Sequence, residues 1–304
     1  MSETILTFGA GRPLVGVLHR PEHEVSRSDL PVVLMLNAGI LHRVGPNRLY
    51  VTAARELAQR GFHVLRFDLW GIGDSQDSGV SSGGGTFRDD TRAAMDEISR
   101  LLGTERFMLS GICMGAKIAL DVASKDSRVE SLMLMEGIYI KSAAYHVRRI
   151  LDLNKWRRIL TGESELVRKI RSRIFRRAAG KNQKAAAPAT TSGGSRSVLL
   201  LEESDERHMK VKLQTVLARG TKVLLAFRNG NEISYNYRLR RTGDEITGTG
   251  LPSGLDVSFI PFADHTFTPV ISQQLLMDVL VKWVEKAHPA RNAGKVPLAA
   301  VQCG

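Results

Sequence analysis

Residues 107–116 read Phe107-Met108-Leu109-Ser110-Gly111-Ile112-Cys113-Met114-Gly115-Ala116. Phe107–Ser110 is a short strand pattern and Ala116–Ala123 a helical one, so Cys113 falls on the turn between them. A G-x-nucleophile-x-G spacing at such a turn has a mechanical reason. The nucleophile sits in a strained backbone conformation, usually with positive φ, so its neighbours must be small, and Gly111 and Gly115 leave that room. The helix that starts here aims its N-terminus at the sulfur, which favours thiolate. The backbone N–H of Met114 then faces the place where an oxyanion would form. Cys113 is the candidate nucleophile and Met114 a candidate oxyanion donor. The bland alternative is an inert buried cysteine in a Gly-containing turn, and the strand–helix context argues against it.

Outward from this turn, strands alternate with helices. Residues 3–8 and 14–20 form two short strands joined at Gly9–Gly11, and Pro31–Leu36 is a continuous apolar run of the kind buried on both faces. Asn47–Gln59, Asp90–Leu102 and Ala116–Ala123 have helical spacing, while His63–Phe67 and Val129–Met135 read as strands. Farther on, Val198–Ala218 reads as helix, Lys222–Phe227 and Val257–Pro261 as strands, and Ser272–Lys286 as a closing amphipathic helix. This rhythm predicts an α/β fold, with a mostly parallel central sheet and helices on both faces.

A nucleophile needs a base, and of eight histidines most fall inside strand patterns or polar stretches. His265 lies in Phe262-Ala263-Asp264-His265-Thr266-Phe267, between the last strand and the last helix and downstream of the turn. That chain order makes it the candidate general base. The residue that orients it should lie just past Lys222–Phe227, where Glu232 is the only acid in 228–233. Asn231 is a rival, since an amide can orient a Cys–His pair, and Asp244, Asp256 and Asp264 are fallbacks. A second oxyanion donor should follow the third strand, at Asn37-Ala38-Gly39, with the Gly39 N–H as candidate and Ala38 as its neighbour. Beyond it, His42, Arg43 and Arg48 either bind a substrate anion or are simply solvated. Asp68–Ser75 fails as a nucleotide loop, because Gln76 stands where a third glycine is needed; it reads as a structural turn at the sheet edge.

Of 304 residues, 43% are hydrophobic and 24% charged, enough apolar content for a sizeable core. Two cysteines, Cys113 and Cys303, make no disulfide framework, and no cluster has zinc-ligand spacing. We expect neither metal nor cofactor. The absence of a long apolar run and of a basic, then apolar, start leads us to expect a cytoplasmic protein. Net charge is +12, yet residues 146–185 hold thirteen lysines and arginines against three acids, so basicity belongs to one insert. Within it, 165–177 places Leu166, Val167, Ile170, Ile174 and Phe175 on a helical stripe, and 181–197 is polar and of low complexity. The expected layout is a core of 1–139 and 198–290, a basic helical cap with a flexible loop at 140–197, and a disordered tail at 291–304.

At this point the sequence resembles the α/β-hydrolase superfamily over about 10–140 and 198–287, in the order nucleophile, acid, histidine. More narrowly, Asn37–Tyr50, Arg66–Ser75, Gly111–Ala116 and Asp264–Phe267 resemble the exosortase-associated hydrolases. Those carry a helical insert similar to Val147–Gly162 and commonly a Cys at the turn; dienelactone hydrolases also have Cys there. The chain departs from the related pattern at Asn231-Glu232, where the acid usually follows the glycine directly. The resemblance implies an α/β-hydrolase fold and a hydrolase. Residue chemistry then suggests an ester or thioester substrate cleaved through a Cys113 acyl-enzyme with His265 as base. Acyl transfer from the same intermediate, or a non-catalytic binding module, are the alternatives. The basic cap is either a solvated face or a dock for an acidic carrier protein or an anionic surface; nucleic acid is not expected, because aromatics there are few.

Overall fold

The computed structural model describes residues 1–75, 86–139, 206–229 and 253–289. The cap at 140–197 and the tail at 291–304 lie outside these residues. Eight strands form one sheet: β1 Ser2–Phe8, β2 Leu14–Arg20, β3 Val32–Leu36, β4 Val64–Phe67, β5 Phe107–Ile112, β6 Val129–Met135, β7 Lys222–Arg228 and β8 Leu255–Ile260. Their spatial order is β1-β2-β4-β3-β5-β6-β7-β8. The β1–β2 and β2–β4 pairs are antiparallel and every pair from β4 to β8 is parallel.

Among the described residues five α-helices flank it: α1 Leu49–Gln59, α2 Phe87–Leu102, α3 Met114–Ala123, α4 Glu206–Ala218 and α5 Val270–Ala287. The strand pleat sorts the core into two layers. Val33 and Met35 of β3 point to the side that packs Leu57 of α1 and Leu280 and Trp283 of α5. Val32, Leu34 and Leu36 point the other way, to Ile98 of α2, Leu120 of α3 and Leu213 of α4. All five β3 residues are therefore buried, which is why this strand is a continuous apolar run.

Element ends depart from the sequence reading where side chains cap them. Helix α2 begins three residues before Asp90, because Thr86 and Asp89 form a reciprocal capping box. The Asp68 turn leaves β4, an interior strand between β2 and β3, so it does not sit at the sheet edge. Helix α1 is preceded by a 3-10 turn at Pro46–Arg48.

Connectivity sets the position of the functional end. From β3 the chain moves through α1 to β4 on one side, and from β5 through α3 to β6 on the other. The crevice beyond the C-terminal ends of β3 and β5 is thus the topological switch point, where open parallel sheets bind ligands. No helix among the described residues is long and apolar enough to cross a membrane.

At the opposite end of the sheet, buried His288 follows α5 and its Nε2 lies 2.9 Å from Ser131 Oγ on β6. Burial, reinforced by the Lys222, Arg106 and Arg27 cations, pushes His288 down from 6.5 to about 4. As pH falls below 6.5 the unfolded chain takes up this proton before the folded one does. Stability from this residue is therefore lost between about pH 6.5 and pH 4. We expect His288→Gln, which keeps a polar partner for Ser131, to reduce the stability lost between pH 7 and 4.5 by about 2 kcal/mol in urea titrations. Identical pH slopes for the two proteins would refute the assignment.

Candidate active site

Strand β5 runs two residues farther than the sequence pattern suggests, and α3 begins at Met114. Cys113 is left as the single turn residue between them, with φ 56° and ψ −110°. Its neighbours show why glycine stands on either side. A side-chain carbon on Gly111 would lie 2.4 Å from the Gly115 carbonyl carbon. One on Gly115 would lie 2.7 Å from the backbone oxygens of both Leu36 and Asn37. Any residue with a side chain would push α3 away from β3 and β5. This same contact sets the end of β3, which leads into Ala38 and Gly39, against the start of α3. Gly39 has φ +62°, and a carbon added there would meet no described atom within 4 Å.

His265 Nδ1 lies 3.2 Å from Glu136 Oε2, and its ring is close enough to the Cys113 thiol for the two to be coupled electrostatically. The structure therefore brings Cys113 and His265 together, and Met114 N–H lies against the sulfur. The carboxylate on the imidazole is Glu136, which the sequence reading did not select. Glu232, Asn231 and Asp244 lie outside the described residues. Asp256 is bound to Trp283 Nε1 and Lys286 Nζ, and Asp264 caps its own loop through the Thr266 and Thr268 N–H groups.

Glu136 is the first residue past β6, the strand beside β5, and is buried at the C-terminal end of the sheet. Oε2 also accepts from the Tyr139 hydroxyl at 2.6 Å, and Oε1 from the Arg228 backbone N–H. The signal in the sequence was an acid followed by glycine directly after the apolar run Val129–Met135. Gly137 must be bare, because a carbon on it would lie 2.5 Å from the Cys113 carbonyl oxygen.

Among the described residues six non-glycines have positive φ: Asn47, Arg48, Cys113, Glu136, Phe262 and Phe267. Two are the thiol and the carboxylate, and two bracket His265. Backbone strain is thus concentrated where the three functional groups meet, as at sites held by their surroundings.

Charge follows the same geometry. The hydrogen bond with His265 holds the Cys113 thiol below its ordinary value against the opposing effect of burial, with Met114 N–H adding to it. The Cys113 and Glu136 hydrogen bonds raise His265 to about 10. Burial acts to raise Glu136, but His265, Tyr139 and the Arg228 N–H outweigh it and leave the carboxylate below its usual range. These shifts all favour the same charge distribution, negative on sulfur, positive on the imidazole and negative on the carboxylate.

The loop after β3 is braced from below. Asn37 Nδ2 donates to Asp68 Oδ1 at 2.9 Å, and Asn37 Oδ1 accepts from Leu69 N–H at 2.8 Å. Arg43 reaches Asp68 at 2.5 Å and Asp74 at 2.7 Å. His42, Asp68 and Asp74 lie close enough together for a cation, but the Arg43 guanidinium already pairs with both carboxylates. Arg43 is consequently a strut of this loop and not a solvated residue.

Comparison with known proteins follows from this geometry. A family model described as serine aminopeptidase, S33, matches residues 40–220. No curated protein matches. Among solved structures, an α/β serine hydrolase without lid from Xanthomonas campestris is 15% identical, with a TM-score of 0.52 over 96% of this chain and 97% of that one. Dienelactone hydrolase from Anabaena variabilis is 14% identical, with a TM-score of 0.54 over 94% and 97% of the two chains. The esterase domain of a Rhodothermus marinus protein is 17% identical, with a TM-score of 0.53 over 94% and 99%. The fold is the α/β-hydrolase fold that the sequence led us to expect.

The ionised pair gives a direct expectation. Iodoacetamide should alkylate Cys113 at pH 6 roughly tenfold faster than it alkylates a free model thiol, and His265→Gln should move the reactivity midpoint up toward the ordinary thiol range. Peptide mapping of the adduct across a pH series makes the measurement. A wild-type midpoint near 8.5, the approximate free-thiol value, would exclude the pair.

Proposed function

The chain belongs to the serine aminopeptidase S33 family and is a hydrolase of the α/β type, and from that premise we propose that Cys113 replaces serine as the nucleophile of an ester or thioester hydrolase. The observation that carries this reading is the continuous chain of contacts from Cys113 through His265 to Glu136. The Cys113 thiolate attacks the acyl carbonyl carbon; the S–C bond forms as the carbonyl π pair moves to oxygen. The N–H of Met114, with that of Gly39, accommodates the resulting oxyanion. Collapse expels the alkoxide or thiolate leaving group, which takes its proton from the His265 imidazolium. Water then gives a proton to His265 as its oxygen attacks the thioester, and the second collapse releases the acid and restores thiolate. Glu136 holds the ring orientation and the imidazolium charge throughout, the role the sequence reading assigned to Glu232.

Thiolate chemistry favours activated acyl groups. Expelling an amine from a tetrahedral centre on sulfur is hard, because the thiolate itself leaves more readily, so amides are the poorest substrates despite the family's peptidase description. The similar solved structures, an esterase domain and a dienelactone hydrolase, support this direction. So does the resemblance to exosortase-associated hydrolases, with their cysteine at the turn. The basic segment at 146–185 makes an anionic carrier or surface a fitting partner, and the composition suits a cytoplasmic setting.

The test compares wild type with Cys113→Ala on p-nitrophenyl acyl esters and matching acyl thioesters. Wild type should give a burst with one acyl adduct on Cys113 by intact mass, and Cys113→Ala should give neither burst nor turnover. Glu136→Gln should retain the adduct while losing roughly 10²–10⁴-fold in kcat, through loss of the carboxylate on the imidazole. Wild-type turnover in Cys113→Ala would overturn the proposal. A stable adduct that is discharged only by an added alcohol or amine would replace hydrolysis with acyl transfer.

A further inference from the structure

Tyr50 is fully buried in α1, yet its hydroxyl lies between two strands of the sheet. It donates to the Leu36 backbone oxygen at 2.9 Å and accepts from the Ile112 N–H at 2.9 Å. The register shows what it interrupts. β3 and β5 pair in parallel, with Val32 opposite Phe107, Leu34 opposite Leu109 and Leu36 opposite Gly111. Val32 N–H bonds Arg106 C=O, which fixes which residues of β3 face β5. In that phase the last rung of a regular parallel ladder would run from Ile112 N–H straight to Leu36 C=O. The tyrosine hydroxyl is inserted into that rung.

The two strands are therefore held apart by one oxygen atom at the point where they leave the sheet. Leu36 leads into Asn37-Ala38-Gly39, and Ile112 leads into Cys113 and Met114. The spacing between these two segments is the spacing between the two backbone N–H groups that would face an oxyanion. The ring itself is seated under the same loop: a carbon on Gly45 would lie 2.7 Å from Tyr50 Cγ, and Tyr50 N–H bonds the Val44 carbonyl at 3.2 Å. Burial pushes the phenol far above its ordinary pKa, so the hydroxyl stays a donor to Leu36 at any working pH.

We propose that Tyr50 is a positioning residue that sets the width of the oxyanion pocket by bridging β3 and β5 through its hydroxyl. It touches neither substrate nor sulfur, and acts through the Leu36 carbonyl and the Ile112 N–H. The inference rests on the acyl-enzyme reading of Cys113, and its test separates the two.

Tyr50→Phe keeps the ring and removes the inserted oxygen. Acylation by p-nitrophenyl acetate passes through an oxyanion, whereas alkylation by iodoacetamide displaces iodide at carbon and forms none. In Tyr50→Phe the acylation rate constant should fall roughly 10²-fold, as expected for sub-ångström misplacement of donors, while Cys113 alkylation stays within about twofold of wild type. The retained alkylation rate reports that the turn, the thiolate and the fold survive. Gly45→Ala, which retains the hydroxyl but pushes the ring, and the hydroxyl with it, out of position, should show the same split. Equal acylation in wild type and Tyr50→Phe would overturn the positioning role. A parallel loss of acylation and alkylation would overturn it too, by assigning Tyr50 to the fold or the thiolate. Failure of the wild type to acylate would overturn the acyl-enzyme reading, and the role built on it.

Discussion

The first turn of α3 lies in backbone contact with the ends of both β3 and β5, and this approach is what the active end of the molecule depends on. It exists because Gly111 and Gly115 have no side-chain carbons, each of which would collide with backbone at under 3 Å. Backbone cannot rotate away as a flexible side chain can, so the contact is rigid. It forces Cys113 into φ 56° and projects its thiol beyond the sheet. It also puts the backbone oxygens of Leu36 and Asn37, where the chain leaves β3, against the first turn of the helix.

The electrostatics are a consequence of that placement. A cysteine alone in a half-buried turn would be a poor thiolate, since burial disfavours charge. Here His265 and the Met114 N–H reverse the sign, and Glu136 stabilises the positive charge left on the ring. Glu136 in turn is charged while buried because three donors surround it: His265, Tyr139 and the Arg228 N–H. Each group has a partner whose charge it requires. Removing the carboxylate would leave imidazolium beside thiolate with nothing to hold its Nδ1–H.

Around this centre the loops are tied down by polar side chains buried beneath them. Asp68, fully buried, accepts from Asn37, from the Arg43 N–H and guanidinium, and from Asp74 N–H. The turn after β4 and the turn after β3 thereby share one carboxylate. Arg66 adds a bond to the Arg43 carbonyl from the same interior strand. A loop braced at this many points holds its backbone in one arrangement.

The sequence by itself determined the alternation of strands and helices, the parallel sheet and the turn carrying Cys113. Those features rest on local rules: apolar period, steric need for glycine, and chain order. His265 was legible for the same reason, as the histidine between the last strand and the last helix. The partner of that histidine was not legible, because Glu136 and His265 are 129 positions apart and only the lateral order of β6, β7 and β8 brings them to one place. Chain order pointed past β7, to residue 232, while the sheet places the end of β6 against the ring. Likewise Tyr50 lies in the helical segment Asn47–Gln59 with nothing in the sequence to single it out; that its hydroxyl enters the β3–β5 ladder, and that Arg43 pairs with Asp68 and Asp74, follow from distances between segments far apart in the chain. Tertiary packing alone decides which polar groups meet, since a carboxylate or hydroxyl carries no periodic signature of its partner.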